Sequence, residues 1–130
     1  MKQYYNIKAY PDQNLVVEVC KGDWTVQVAK SYLKDFENVA KDVTGNGSWA
    51  LLTDAVNWKS TDDEIIEIIG DHFEWNRKNG MTHNANVTSG IVEQRKLQQM
   101  FEAGGVSHIA KVFLSREEAL EWLRKEGYSV

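Results

Sequence analysis

An aspartate, an asparagine and two hydroxyls fall close together in "LLTDAVNWKSTDDEIIEI", residues 51 to 68: Asp54, Asn57, Ser60 and Thr61. With His83 further along, the chain holds the side-chain types of a hydrolytic centre. Asp54 closes the apolar part of its run, and the carboxyl ends of parallel strands make a crevice. Asp54, Asn57, Ser60 and His83 are therefore the best enzyme-like set on offer, with Asp54 and His83 at its heart. The competing reading is a polar strand end that faces water.

Ser60 and Thr61 have a second use. A hydroxyl just before an apolar helical run is an N-cap, worth about 1 kcal/mol. Ser60 with Asp63, or Thr61 with Glu64, has the form of a capping box. The acids at 62 to 64 favour the positive end of the helix dipole. A phosphate on either hydroxyl would meet free N–H groups there, assisted by Lys59 but opposed by three carboxylates.

Metal and cofactor chemistry is poorly supported. The three histidines, His72, His83 and His108, lack the i, i+4 spacing of a helical metal site. His72 falls mid-helix near the apolar face, where packing is its expected role. Glycine-rich phosphate loops and nucleophile elbows are missing. No cofactor is expected. Cys20, the only cysteine, ends an apolar strand and reads as a small buried hydrophobe.

The five tryptophans are richer in meaning. Trp49 and Trp122 fit the core. Trp24 and Trp58 both follow strands, at what should be one edge of a sheet. Trp75 lies on the helix after Trp58, near its polar side. If these three share a surface, they make an apolar binding patch, with Asp54, Asn57 and Lys59 beside it. The alternative is that each ring covers a loose end of the core.

Elements must hold these groups in place. The chain has 130 residues and suits one domain spanning 1–130. Apolar residues are 42% and charged residues 26%, as in ordinary globular proteins. A net charge of -4 argues against nucleic acid and anionic membrane surfaces. Neither a signal peptide nor an apolar run of bilayer length stands out, so stable membrane insertion is not expected and a cytoplasmic location is.

"YYNIKAY", "PDQN" and "LVVEVCKG" read as strand, turn and strand. Ala29, Leu33, Phe36, Ala40 and Val43 draw a helical stripe that Asp23 or Thr25 can cap and Gly45 can stop. "SWALLTDAVNW" is a strand buried on both faces. Ile65, Ile66, Ile69 and Phe73 mark a second helix. "MTHNANVTSG" alternates, placing Met81, His83, Ala85 and Val87 on one side. Leu97, Met100 and Phe101 mark a third helix, "SHIAKVFL" a last strand, and "SREEALEWLRKEG" a last helix with Ser115 reaching toward Glu118. The order β-β-α-β-α-β-α-β-α predicts an α/β fold: a five-stranded mixed, mostly parallel sheet with four helices and an antiparallel first strand at an edge.

That order, and "LQQMFEAGGVSHIAKVFLSREEALEWL" (97–123) in particular, resembles the STAS domain in its stand-alone, SpoIIAA-like form, the fold of the anti-sigma-factor antagonists. The family shows an apolar helix ending in a small-Gly turn, an apolar strand, then a polar cap and Glu-Glu-Ala-Leu. In its regulatory members a strand runs into Asp-Ser-(Ser/Thr)-Gly at the start of the second helix, and a partner kinase phosphorylates that serine. Here the match is "NWKSTDD": Ser60 falls on the acceptor position and Thr61 next to it, with Lys59 in place of the Asp and Asp62 in place of the Gly. The resemblance implies a non-enzymatic binding domain that docks a protein partner, or a second copy of itself, near the start of the second helix. The alternative is a carrier of a small apolar ligand or lipid between helix and sheet.

Overall fold

A strand that is apolar at every position needs cover on both faces, and Trp49–Asp54 (β4) has it. The computed structural model describes residues 3–60 and 62–129. In it Trp49 and Leu51 pack into one core and Ala50 and Leu52 into another. Around β4 the sheet runs β1 (Tyr5–Tyr10), β2 (Leu15–Cys20), β4, β6 (Met81–Val87), β7 (Ala110–Phe113). β1 is antiparallel to β2 and lies at the edge; every other pairing is parallel. The five-stranded mixed sheet with four helices is as expected. A turn at Pro11–Gln13 joins β1 to β2, and Asn14 takes the left-handed conformation that closes it.

Three helices line one face: α1 (Val26–Thr44), α2 (Glu64–Lys78) and α3 (Ile91–Gly104). The fourth, α4 (Arg116–Lys125), covers the other face over β4, β6 and β7. Thr25 caps α1 by accepting from Val28 N at 3.2 Å, and Ser115 caps α4 by accepting from Glu118 N at 3.2 Å. α2 and α3 touch backbone to backbone. A Cβ on Gly70 would lie 2.6 Å from the Ala103 methyl, and one on Gly104 2.5 Å from the Gly70 carbonyl oxygen.

Two details depart from the periodicity. Trp49 pairs with Met81 but Ala50 pairs with His83, so Thr82 is an extra residue in β6. This bulge moves Met81 into the three-helix core while Ala85 and Val87 join the α4 core. The single-sided alternation predicted for Met81 to Val87 is thus broken at its first step. On α1 the buried position is Tyr32, with Leu33 only half-buried.

Candidate functional site

The segments after β2 and β4 meet. Gly22–Asp23 (β3) and Trp58–Lys59 (β5) form a short parallel ladder outside the main sheet. Gly22 N donates to Asn57 O and Trp24 N to Lys59 O, both at 2.9 Å. The side chains of Asn57 and Lys59 stay exposed, so these two residues serve the ladder through their carbonyls. Asp54 accepts from Val56 N at 3.2 Å and so shapes the turn out of β4.

The ladder places Trp24 and Trp58 inside. Trp24 is 2% exposed and Trp58 6%, with ring centroids 6.3 Å apart in an edge-on arrangement. Trp24 Nε1 donates to Lys21 O at 2.9 Å. The three-tryptophan surface patch is therefore not formed: two of its rings are core. Trp75 is half-buried and sits eleven residues into α2, roughly 16 Å from the start of that helix.

Ser60 is also inside, at 3% exposure. Its hydroxyl donates to Trp24 O at 2.8 Å and accepts from Asp62 N at 3.1 Å. Asp62 Oδ1 then accepts from Glu64 N at 3.1 Å. The expected capping box is replaced by two successive local turns, and α2 begins at Glu64 without a side-chain cap from Asp63. In this arrangement the Ser60 hydroxyl is buried and engaged in two hydrogen bonds. Thr61 lies outside the described residues. Lys96, on α3, donates to Ser60 O and joins α3 to the same segment.

The hydrolytic set does not assemble. Asp54 pairs with Val87, whereas His83 pairs with Ala50 four residues back, roughly 13 Å away along the strand. His83 sits on the α4 side between Trp122 and Tyr128, 3.2 Å from a Glu126 carboxylate oxygen. Trp122 is only half-buried there. Among the described residues no group of His, Cys, Asp and Glu has the arrangement to hold a metal.

Two features escaped the sequence. The first is a polar network in the three-helix core. Glu18, on β2, is 2% exposed. Its carboxyl accepts from Tyr32 at 2.7 Å and from Thr53 at 2.6 Å. Tyr32 Oη lies 3.2 Å from His72 Nε2, and the Asn76 amide 3.3 Å from the same nitrogen. Burial pushes the Glu18 carboxyl up to about 7, although the Thr53 and Tyr32 hydrogen bonds pull the other way. Burial pushes His72 down to about 3, so it is a neutral ring at ordinary pH. The Cys20 thiol is pushed well above its usual range, chiefly by burial and then by Glu18, and is not a reactive thiolate. Next to Glu18 lies a cavity of about 30 Å³. It has room for one or two water-sized groups and none for a lipid chain.

The second feature is a row of exposed apolar side chains: Ile91 at 70%, Val92 at 61%, Leu114 at 73% and Val56 at 40%. Each follows the carboxyl end of a strand. Asp54, Val87 and Phe113 are paired across β4, β6 and β7, so all four residues leave the sheet at one rim.

No family model matches the sequence, and no curated protein matches it. Solved structures do. An anti-sigma factor antagonist from Mycobacterium paratuberculosis superposes with a TM-score of 0.61 over 92% of each chain at 15% identity. The anti-sigma factor antagonist SpoIIAA in its unphosphorylated form gives a TM-score of 0.60, over 93% of this chain and 96% of the other, at 13% identity.

Proposed function

We propose that a chain with the fold of the anti-sigma factor antagonists is, like them, a non-catalytic regulator, and that it docks a protein partner through the strand-end rim. The observation that carries this is the row Val56, Ile91, Val92 and Leu114, exposed at one end of the sheet where a soluble surface has no use for them. Val56 lies two residues before the β3–β5 ladder, which ties the segment leading to α2 to the one leading to α1. Asn57 and Lys59 stand exposed beside it and supply polar edges. The proposal is supported by the likeness in fold to two solved anti-sigma factor antagonists. No helix among the described residues is long and apolar enough to cross a membrane. One buried free cysteine suits a reducing cytoplasm.

A photo-crosslinking side chain at Ile91 or Leu114 should capture one and the same protein in the native host. The same group at Asn46, exposed at the opposite end of β4, should not. The double substitution Ile91→Asp, Val92→Asp should abolish capture while changing stability by no more than about 0.5 kcal/mol. Equal capture from Asn46, or capture that survives the double substitution, would refute docking at this rim.

A further inference from the structure

The three-helix core contains a carboxyl group without a counter-ion. Glu18 is buried, and among the described residues no lysine or arginine pairs with it. An unpaired carboxylate in a core is strongly unfavourable. The cavity beside it has an acceptor without a donor in its wall. Asn86 is fully buried; its Nδ2 donates to Asn84 Oδ1 at 2.9 Å, and its Oδ1 has no donor. The rest of the wall includes the rings of Trp24, Tyr32, Trp58 and Phe73.

Glu18 and Asn86 Oδ1 share one character. A carboxylate and an amide oxygen both want donors, and aromatic faces carry negative potential. Glu18 already accepts from Tyr32 and Thr53 and lacks a positive charge, whereas Asn86 Oδ1 lacks a donor; an apolar guest supplies neither, and a hydroxyl only the second. A compact cation with several N–H groups meets both and gains from the rings. We propose that this cavity is a binding site for a small ammonium group, either ammonium itself or the –NH3+ of a very short primary amine, which donates to Glu18 and to Asn86 Oδ1 among the aromatic rings. The size agrees: about 30 Å³ holds two water-sized groups, as methylammonium requires. This site is independent of the docking rim.

No charged group in the wall competes for Glu18. Cys20 on its own strand, Tyr32 on α1 and, behind Tyr32, His72 on α2 are the titratable groups around it. Asp54 bears on Cys20 and Tyr5 on Tyr32, and neither is a cation. α3 contributes only Leu97 and Met100 to the wall. With its carboxyl near 7, Glu18 sheds a proton as an ammonium ion enters. Binding should therefore weaken about tenfold from pH 8 to pH 6.

The test is thermal denaturation and calorimetric titration of the intact chain with methylammonium chloride, against sodium chloride and methanol at matched concentrations. Methylammonium should raise Tm with the logarithm of its concentration, and the two controls should not. Glu18→Gln should lose the response at least tenfold. Trp58→Phe, which keeps an aromatic ring, should weaken it several-fold and serves where Glu18→Gln does not fold. A response shared with sodium chloride or methanol would overturn the proposal. So would an affinity that is flat from pH 6 to 8, undiminished binding by Glu18→Gln, or a cavity that takes up water alone.

Discussion

The two faces of the sheet are built on opposite principles. The α4 face holds Leu15, Ala50, Leu52, Ala85 and Val87 under Ala119 and Leu123, an apolar core closed by one ten-residue helix. The other face has three helices and more buried volume, yet Glu18, Thr53, His72, Asn76, Asn84 and Asn86 are set into it. Asn76 Oδ1, Asn84 Nδ2 and Asn86 Oδ1 lack partners among the described residues. Each such atom costs about 1–3 kcal/mol. The small face shows that this sheet can be sealed by hydrocarbon alone. Polar groups on the large face are thus an expense that the apolar face of the same sheet does without.

The largest effect should come from the large face. Trp58→Ala removes a ring packed on Trp24 and should cost about 3–5 kcal/mol in chemical denaturation. A loss under 1 kcal/mol would mean that Trp58 belongs to the surface after all. Next comes pH. Folded Glu18 holds its proton up to about 7 against an ordinary 4.5, so it destabilises the fold as pH rises between those values. Folded His72 gives up its proton near 3 against an ordinary 6.5, so it stabilises the fold as pH rises from 3 to 6.5. Between 4.5 and 6.5 the two cancel. Glu18→Gln removes one of them, and the mutant's stability should gain on the wild type by up to about 1.4 kcal/mol per pH unit across that window. Parallel stability curves for the two proteins would contradict the buried carboxyl. The smallest effect belongs to the plain face: Ser115→Ala should cost about 1 kcal/mol by uncapping α4, read as a shift in denaturation midpoint without a pH signature.

The sequence made the elements easy to read and the buried polar network hard. Strand order, four helices, the Thr25 and Ser115 caps, the burial of Cys20 and the packing role of His72 all follow from local pattern. Glu18 does not. In "LVVEVC" it looks like the wet side of a strand, and only the tertiary placing of Tyr32 and Thr53 lets it turn inward. Tyr32 lost to Leu33 because hydropathy ranks leucine higher, and both lie three or four residues from Ala29 and Phe36, so spacing does not separate them. A two-residue ladder such as β3–β5 has no periodicity to detect. Without it Trp24 and Trp58 look exposed, and Ser60 looks like a cap. The extra residue at Thr82 is equally silent, and it reverses the facing of Met81. Asp54 and His83 were brought together by residue type; parallel register separates them.

Gly70 and Gly104 leave no space for even a methyl group where α2 crosses α3. Two rods in such contact meet at the closest approach their backbones permit. Lys96 pins α3 to the Ser60 carbonyl, and Ile91 and Val92 project at the near end of the same helix. The two exposed side chains and the segment that shelters Trp24 are thus linked through one helix and a single lysine contact.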